Sequence, residues 1–336
     1  MSDYSPKNIL ITGGAGFIGS NFIYHILKDN VNIVNIDCMS YCSTDMSEET
    51  VNRWIKNNGL KSTYKFIYQN ITGINVKVFE ENNIDTVVHF AAQSHVDNSF
   101  GNSINFTMDN VLGTHVMLEC CREYGKIKRF IHISTDEVYG EVDIENEGCI
   151  EKSILNPTNP YAATKAAAEM IVTSYYHSFK LPVIITRGNN VYGPRQYPEK
   201  VIPAFISNLL NNKKCEIHGK GIARRNFIHV NDVCTAIETI LCKGKINEIY
   251  NIGTTNEYNV MEILQKLVAN IKNDSDYLQY ANFVDDRLFN DFRYCIDATK
   301  LRELGWKEQI PFAKGLKNTI SWYSDPDNIK NFSKIY

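Results

Sequence analysis

An apolar segment at 7–12 runs directly into Gly13-Gly14-Ala15-Gly16-Phe17-Ile18-Gly19, and this junction restricts the fold more than any other stretch of the chain. Glycines at 13, 16 and 19 let backbone amides approach a diphosphate closely, and a helix expected over 17–27 adds the partial positive charge of its N-terminus. A second apolar segment, 31–36, ends at Asp37, close to the roughly 20-residue offset of a carboxylate that accepts both ribose hydroxyls of a dinucleotide. Such a carboxylate repels a 2′-phosphate. The pattern therefore predicts NAD rather than NADP, with contacts at Gly13, Gly16, Phe17, Ile18, Gly19 and Asp37.

Further apolar segments at 86–90, 129–133 and 182–186 read as buried strands, and helical stretches at 110–123 and 161–179 lie between them. Alternation of this kind gives an α/β fold: a Rossmann-type doubly wound parallel sheet covered on both faces. The expected organisation is an NAD-binding domain over 1–188 with contributions from about 228–255. A smaller C-terminal α/β substrate lobe spans 189–227 and 256–325, and 326–336 form a tail. Pro194, Pro198 and Pro203 rule out one continuous helix across their segment. A strand–turn–strand unit is expected over 215–230 and a helix over 260–271, with the end after Trp322 loosely held.

Composition narrows the partners. With 43% hydrophobic residues in 336, the chain has ample material for a core, and a formal net charge of -3 with interspersed signs builds no basic field for nucleic acid or an acidic membrane. The first residues lack a leader-like apolar run, and no apolar run approaches the roughly 20 residues of a membrane span, so a soluble, cytoplasmic protein is expected. Nine cysteines occur without a C-x-x-C or a nearby histidine cluster, which predicts free thiols in a reducing compartment and no metal.

Tyr161 and Lys165 stand one helical turn apart, so phenol and ammonium share a face. The ammonium, with a cationic nicotinamide, is expected to lower the phenol pKa by about 1–3 units and make Tyr161 a base. Taken alone such a pair is common on helix surfaces, but Ser134-Thr135 closes the strand just before it and offers a hydroxyl to hold a sugar oxygen. Asp136-Glu137 follow at once, and by themselves read as a solvated turn.

Together, Gly13-x-x-Gly16-x-x-Gly19 and Tyr161-x-x-x-Lys165 resemble the extended short-chain dehydrogenase/reductases, whose members act largely on nucleotide sugars. The segments 89–97, Ser134-Thr135-Asp136-Glu137-Val138-Tyr139-Gly140, Asn156-Pro157-Thr158-Asn159-Pro160-Tyr161 and 198–203 are similar to those of the NDP-glucose 4,6-dehydratases, over about 7–323. The resemblance implies a hydro-lyase in which Tyr161, with Lys165 and Thr135, deprotonates the 4-hydroxyl while hydride leaves C4. Glu137 then acts as base at C5 and Asp136 as acid at O6, and hydride returns to C6. A UDP-hexose 4-epimerase needs neither carboxylate, and UDP-glucuronate decarboxylases carry serine in place of Asp136. Those two enzymes, and an NAD-binding scaffold without turnover, remain the alternatives.

The same resemblance implies cofactor contacts at Asn70, Ile71, Ala91 and Ala92, and substrate contacts at Ser94, Asn190, Glu199, Lys200, Arg225, Arg287 and Asn290. Arg225 and Arg287 would meet the diphosphate, where a planar guanidinium bridges two oxygens. Departures at Gln69-Asn70-Ile71, Asn189-Asn190-Val191 and Arg287-Leu288-Phe289-Asn290 resemble the dehydratase domain of eukaryotic UDP-rhamnose synthases, which favours UDP-glucose over dTDP-glucose. With the chain ending at Tyr336, epimerisation and reduction of the product are expected to fall to a separate epimerase/reductase in rhamnose-type deoxysugar synthesis. A homodimer through the helices at 110–123 and 161–179 is expected on the same grounds.

Overall fold

The computed structural model describes residues 4–28, 30–286, 289 and 291–333, with the backbone alone for 330–333. Six strands, β1 (Asn8–Thr12), β2 (Asn32–Asp37), β3 (Thr63–Tyr68), β4 (Thr86–His89), β5 (Arg129–Thr135) and β6 (Val183–Gly188), join the Ile249–Ile252 strand in one parallel sheet. From one edge the order is Ile249–Ile252, β6, β5, β4, β1, β2, β3. Residues such as Ile9, Leu10, Ile11, Val87, Val88, Phe130 and Ile131 are fully buried, as strands covered on both faces require. The order reverses at β1, which pairs with β2 on one side and β4 on the other, so a crevice opens at the carboxyl ends of β1 and β4. The glycine loop leaves β1 at that point and the helix Phe17–Ile26 begins behind it.

Two glycines there are required by close approach. A Cβ on Gly13, whose φ is +70°, would lie 2.6 Å from Ala91 N, and one on Gly19 would lie 2.3 Å from Gly13 O. The helix Pro160–Phe179 starts from Asn159, whose side chain accepts the Ala162 N–H, with Pro160 in the first position. It ends at Lys180, in a left-handed conformation with φ +60°. Its Glu169 forms a buried ion pair with Arg187 of β6 at 2.6 Å. Two nitrogens of Arg187 reach Glu169, and Arg187 Nη1 donates to Tyr139 Oη at 2.8 Å, so the charge is hydrogen-bonded on several sides.

The second core lies beside the sheet and gathers Tyr192, Phe205, Ile206, Leu209, Ile217, Leu264, Leu267, Phe312 and Leu316. The helix Val201–Leu210 contains Pro203 within its first turn, where a proline lacks no intrahelical bond, and Val260–Ile271 has a capping box between Asn259 and Glu262. The segment 215–230 forms the expected strand–turn–strand unit, Cys215–His218 followed by Arg224–His229, with its two strands in different sheets. Cys215–His218 pairs in parallel with Ala281–Val284, whereas Arg224–His229 pairs with Asn190–Tyr192 and Glu257–Asn259 in a different sheet. Beyond Trp322 a helix spans Pro326–Ser333, and Asn328 Nδ2 donates to Trp322 O at 3.1 Å. Among the described residues no helix is long and apolar enough to cross a membrane, and no group of three or more His, Cys, Asp or Glu could hold a metal. All nine cysteines are free.

Candidate active site

Asp37 ends β2 with 7% of its surface exposed, and its two oxygens accept the backbone N–H groups of Ala15 at 2.9 Å and Met39 at 2.8 Å. Those bonds tie the carboxylate to the glycine loop, while burial pushes its pKa upward. Ala91 stands directly against Gly13, with its N–H on Thr12 Oγ1 at 3.3 Å, and Ala92 follows it. Asn70 commits its carbonyl oxygen to Thr72 N at 2.9 Å and Thr72 Oγ1 at 2.8 Å, capping the short turn Ile71–Gly73. Ile71 is 5% exposed and packs against Gly113. A crevice whose walls leave no room for Cβ atoms at 13 and 19, with a carboxylate at its far side, fits a dinucleotide.

β5 delivers Thr135 to the mouth of this crevice, and the chain then turns through Asp136–Tyr139. Gly140, with φ +77°, closes the turn against Asn156, whose O would lie 2.2 Å from an added Cβ. Thr135 Oγ1 accepts from Glu137 N and donates to Asp136 Oδ1, each at 3.3 Å, and its hydroxyl favours the ionised form of the Tyr161 phenol. One residue apart, the two carboxyls meet different surroundings. Asp136 is 2% exposed, and burial followed by the neighbouring Glu137 raises its pKa to about 7. Glu137 faces a cleft of about 310 Å³, accepts from Asn159 Nδ2 at 3.1 Å, and is also pushed upward by burial.

Lys165 is 4% exposed and donates to Ile133 O at 2.6 Å; burial lowers its pKa to about 8. The expected lowering of the Tyr161 phenol pKa combined the Lys165 ammonium with a cationic nicotinamide, and the protein's own groups set the opposite direction. Burial, then Glu137 and Asp136, drive that pKa upward within the protein's own field, and only the Thr135 hydrogen bond opposes them. Burial raises the cost of a phenolate whatever lies one turn away, which residue spacing cannot reveal.

Asn190, Glu199, Lys200 and Arg225 all line the cleft. Ser94 is exposed, and its carbonyl accepts from Lys200 Nζ at 3.0 Å. Arg225 lies over the Tyr294 ring at 4.5 Å. Arg287 and Asn290 lie outside the described residues. Sequence reasoning missed Asn159, Asn189, Tyr41, Asp291 and Tyr294. Tyr41 Oη donates to Glu199 at 2.6 Å, and Tyr294 Oη donates to Asp291, which also accepts from Thr158 Oγ1 at 2.7 Å. Only Asn159, as an Asn-Pro helix start, left a readable signal.

A dinucleotide crevice that opens onto a tyrosine, a lysine and two consecutive carboxyls invites comparison with known proteins. The family model described as GDP-mannose 4,6 dehydratase matches residues 10–319. The chain belongs to that family. A dTDP-D-glucose 4,6-dehydratase of Dictyostelium discoideum is 45% identical over 374 residues, covering 97% of this chain and 83% of the relative. RHM3 of Arabidopsis thaliana, a trifunctional UDP-glucose 4,6-dehydratase/UDP-4-keto-6-deoxy-D-glucose 3,5-epimerase/UDP-4-keto-L-rhamnose-reductase, is 47% identical over 97% of this chain, which spans 48% of its length. Among solved structures, DesIV, a dTDP-glucose 4,6-dehydratase of Streptomyces venezuelae with NAD bound, matches with a TM-score of 0.85 at 34% identity, covering 96% of this chain and 98% of its own. Family membership makes the chain an NAD-dependent hydro-lyase of Rossmann type.

Proposed function

We propose that this chain removes water from a nucleoside diphosphate glucose, UDP-glucose ahead of dTDP-glucose, to give the 4-keto-6-deoxy sugar. One observation carries the reading: a buried Asp136 poised near neutrality stands beside a Glu137 that faces the cleft, with the Tyr161 phenol in the electrostatic reach of both. NAD in the glycine crevice supplies a hydride acceptor for C4, the same hydride for C6 and, while oxidised, a positive charge that favours a phenolate at Tyr161. Tyr161 takes the 4-hydroxyl proton while Thr135 holds the oxygen. Lys165, anchored on Ile133 O, places its ammonium on the Tyr161 face of the helix. The C4 ketone acidifies C5–H; Glu137 takes that proton, and Asp136 gives its own to O6, which departs as water. Glu137 returns its proton to C5 as C6 is reduced, and the proton gained at Tyr161 balances the one Asp136 gave. Both carboxyls would be idle in a 4-epimerase.

The UDP preference rests on the likeness to the trifunctional Arabidopsis protein and on the variants at 69–71 and 189–191. The product then requires an epimerase and a reductase, as in rhamnose-type deoxysugar synthesis. Cytoplasmic residence agrees with nine free thiols. A homodimer is supported by Ile104, Met108 and Leu112, exposed at 73%, 45% and 39% and spaced by four, with Met170 at 64% on the helix Pro160–Phe179. Incubation with UDP-glucose carrying deuterium at C4 tests the activity. Deuterium should appear at C6 of a 4-keto-6-deoxy product, with a higher kcat/KM than for dTDP-glucose. UDP-galactose as sole product defeats the dehydratase reading, and a preference for dTDP-glucose defeats the UDP assignment.

A further inference from the structure

Asn189 sits in the short link between β6 and the Asn190–Tyr192 strand, is 4% exposed, and was assigned no part in the chemistry above. Its Nδ2 lies 2.7 Å from Asp136 Oδ2, and its Oδ1 accepts the Thr254 backbone N–H at 3.1 Å. Because Thr254 N can only donate, the amide oxygen must face it, and the amide N–H group is thereby aimed at Asp136. The backbone of Asn189 is fixed too, through its N–H on Ile252 O at 3.1 Å. Gly253 makes the approach possible, since an added Cβ would lie 3.1 Å from Asn189 Oδ1 and 2.9 Å from Ile296 Cγ1.

We propose that Asn189 is a positioning residue for the elimination step, holding Asp136 Oδ2 so that the acid keeps one orientation and one proton affinity. The inference rests on the reading of Asp136 as the acid. A donor on a carboxylate favours its ionised form, so Asn189 works against the burial and the Glu137 charge that favour the protonated form. The remaining groups that face Asp136 are Arg225 from the Arg224–His229 strand, Tyr161 from the helix Pro160–Phe179, and the thiols of Cys149 and Cys295. Among the described residues, only Asn189 and Thr135 hydrogen-bond it through side chains. An acid that must give a proton and later recover one works best with a pKa near the working pH, and the Asn189 donor is what restrains Asp136 from rising further.

Two variants test this with UDP-glucose as the probe. Asn189→Asp keeps the shape and the acceptor for Thr254 N but replaces the donor with a second acid that shares a proton with Asp136. Asn189→Ala removes the contact altogether. The alkaline limb of the kcat profile should move to higher pH in both. Elimination should slow roughly tenfold in Asn189→Ala, the size expected for one lost hydrogen bond to a charged group. Cofactor reduction, followed by its near-ultraviolet absorbance in a single turnover, should keep the parental rate, because C4 oxidation does not use Asp136. A merely structural role would slow both half-reactions alike and leave the limb in place. That result in a folded variant overturns the inference, and Asn189→Asp decides if Asn189→Ala does not fold. Asp136→Asn run in parallel separates the two levels: unchanged dehydration there removes the acid itself, and the inference with it, whereas blocked dehydration with unaffected Asn189 variants removes only the inference.

Discussion

The two ends of the proposed site are held in different ways. At the reacting end, Thr135, Asp136, Tyr161 and Lys165 are each at most 8% exposed, project from the end of β5 or the first turns of the helix Pro160–Phe179, and are tied together by short-range bonds. At the proposed substrate end, Glu199, Lys200, Arg225 and Tyr294 come from loops and a three-stranded sheet, meet through pairings distant in sequence, and are mostly half-exposed. Burial at the first end moves pKa values and sets chemistry. At the second, the partly exposed guanidinium and ammonium groups suit the proposed grip on a solvated diphosphate.

This contrast is broken most decisively at the reacting end. Tyr161→Phe should lower turnover by roughly 10²–10⁴-fold and abolish cofactor reduction, the range for a lost acid–base group; normal reduction in stopped flow would exclude Tyr161 as the base. Arg225→Ala should raise KM by roughly tenfold or more with kcat little changed, as expected for one lost charge-assisted contact. A loss of kcat alone would place Arg225 at the reacting end. The pH profile sharpens the comparison further. Asp136, with a pKa raised to about 7, should lose its proton and its activity as pH rises past neutrality, while the raised Glu137 loses its basicity as pH falls, giving a bell-shaped kcat.

The same raised value carries a stability sign. The protonated form of Asp136 is favoured in the fold, so its contribution is present below about pH 4 and lost as pH rises to about 7. Asp136→Asn should therefore melt higher than the parent at pH 8; an unchanged or lower Tm would argue against a buried, strained carboxylate. The smallest effect is expected at Asn159→Ala, about 1 kcal/mol of stability from the lost helix cap, together with a looser Glu137. A drop in Tm without any change in elimination would confine Asn159 to capping.

The contrast also explains what the amino-acid pattern revealed. The glycine loop, Asp37, the strand ending at Thr135 and the Tyr161/Lys165 turn are local signals, since each is a residue type at a fixed offset within one element. The partners of 215–218 lie at 281–284, more than sixty residues on, and no local pattern foretold that pairing. The upward push on Tyr161 was equally hidden, because desolvation depends on what the fold packs around a side chain. The contacts of Asn189 were hidden in the same way, since they arise only from the meeting of the β6 end, Thr254 and Asp136.

The account stands on two carboxyls and one phenol acting on a single hexose, and Glu137→Gln in a single turnover with UDP-glucose tests that most directly. The prediction is cofactor reduction close to the parental rate with no 4-keto-6-deoxy sugar formed. Dehydration at the parental rate in that variant would contradict it.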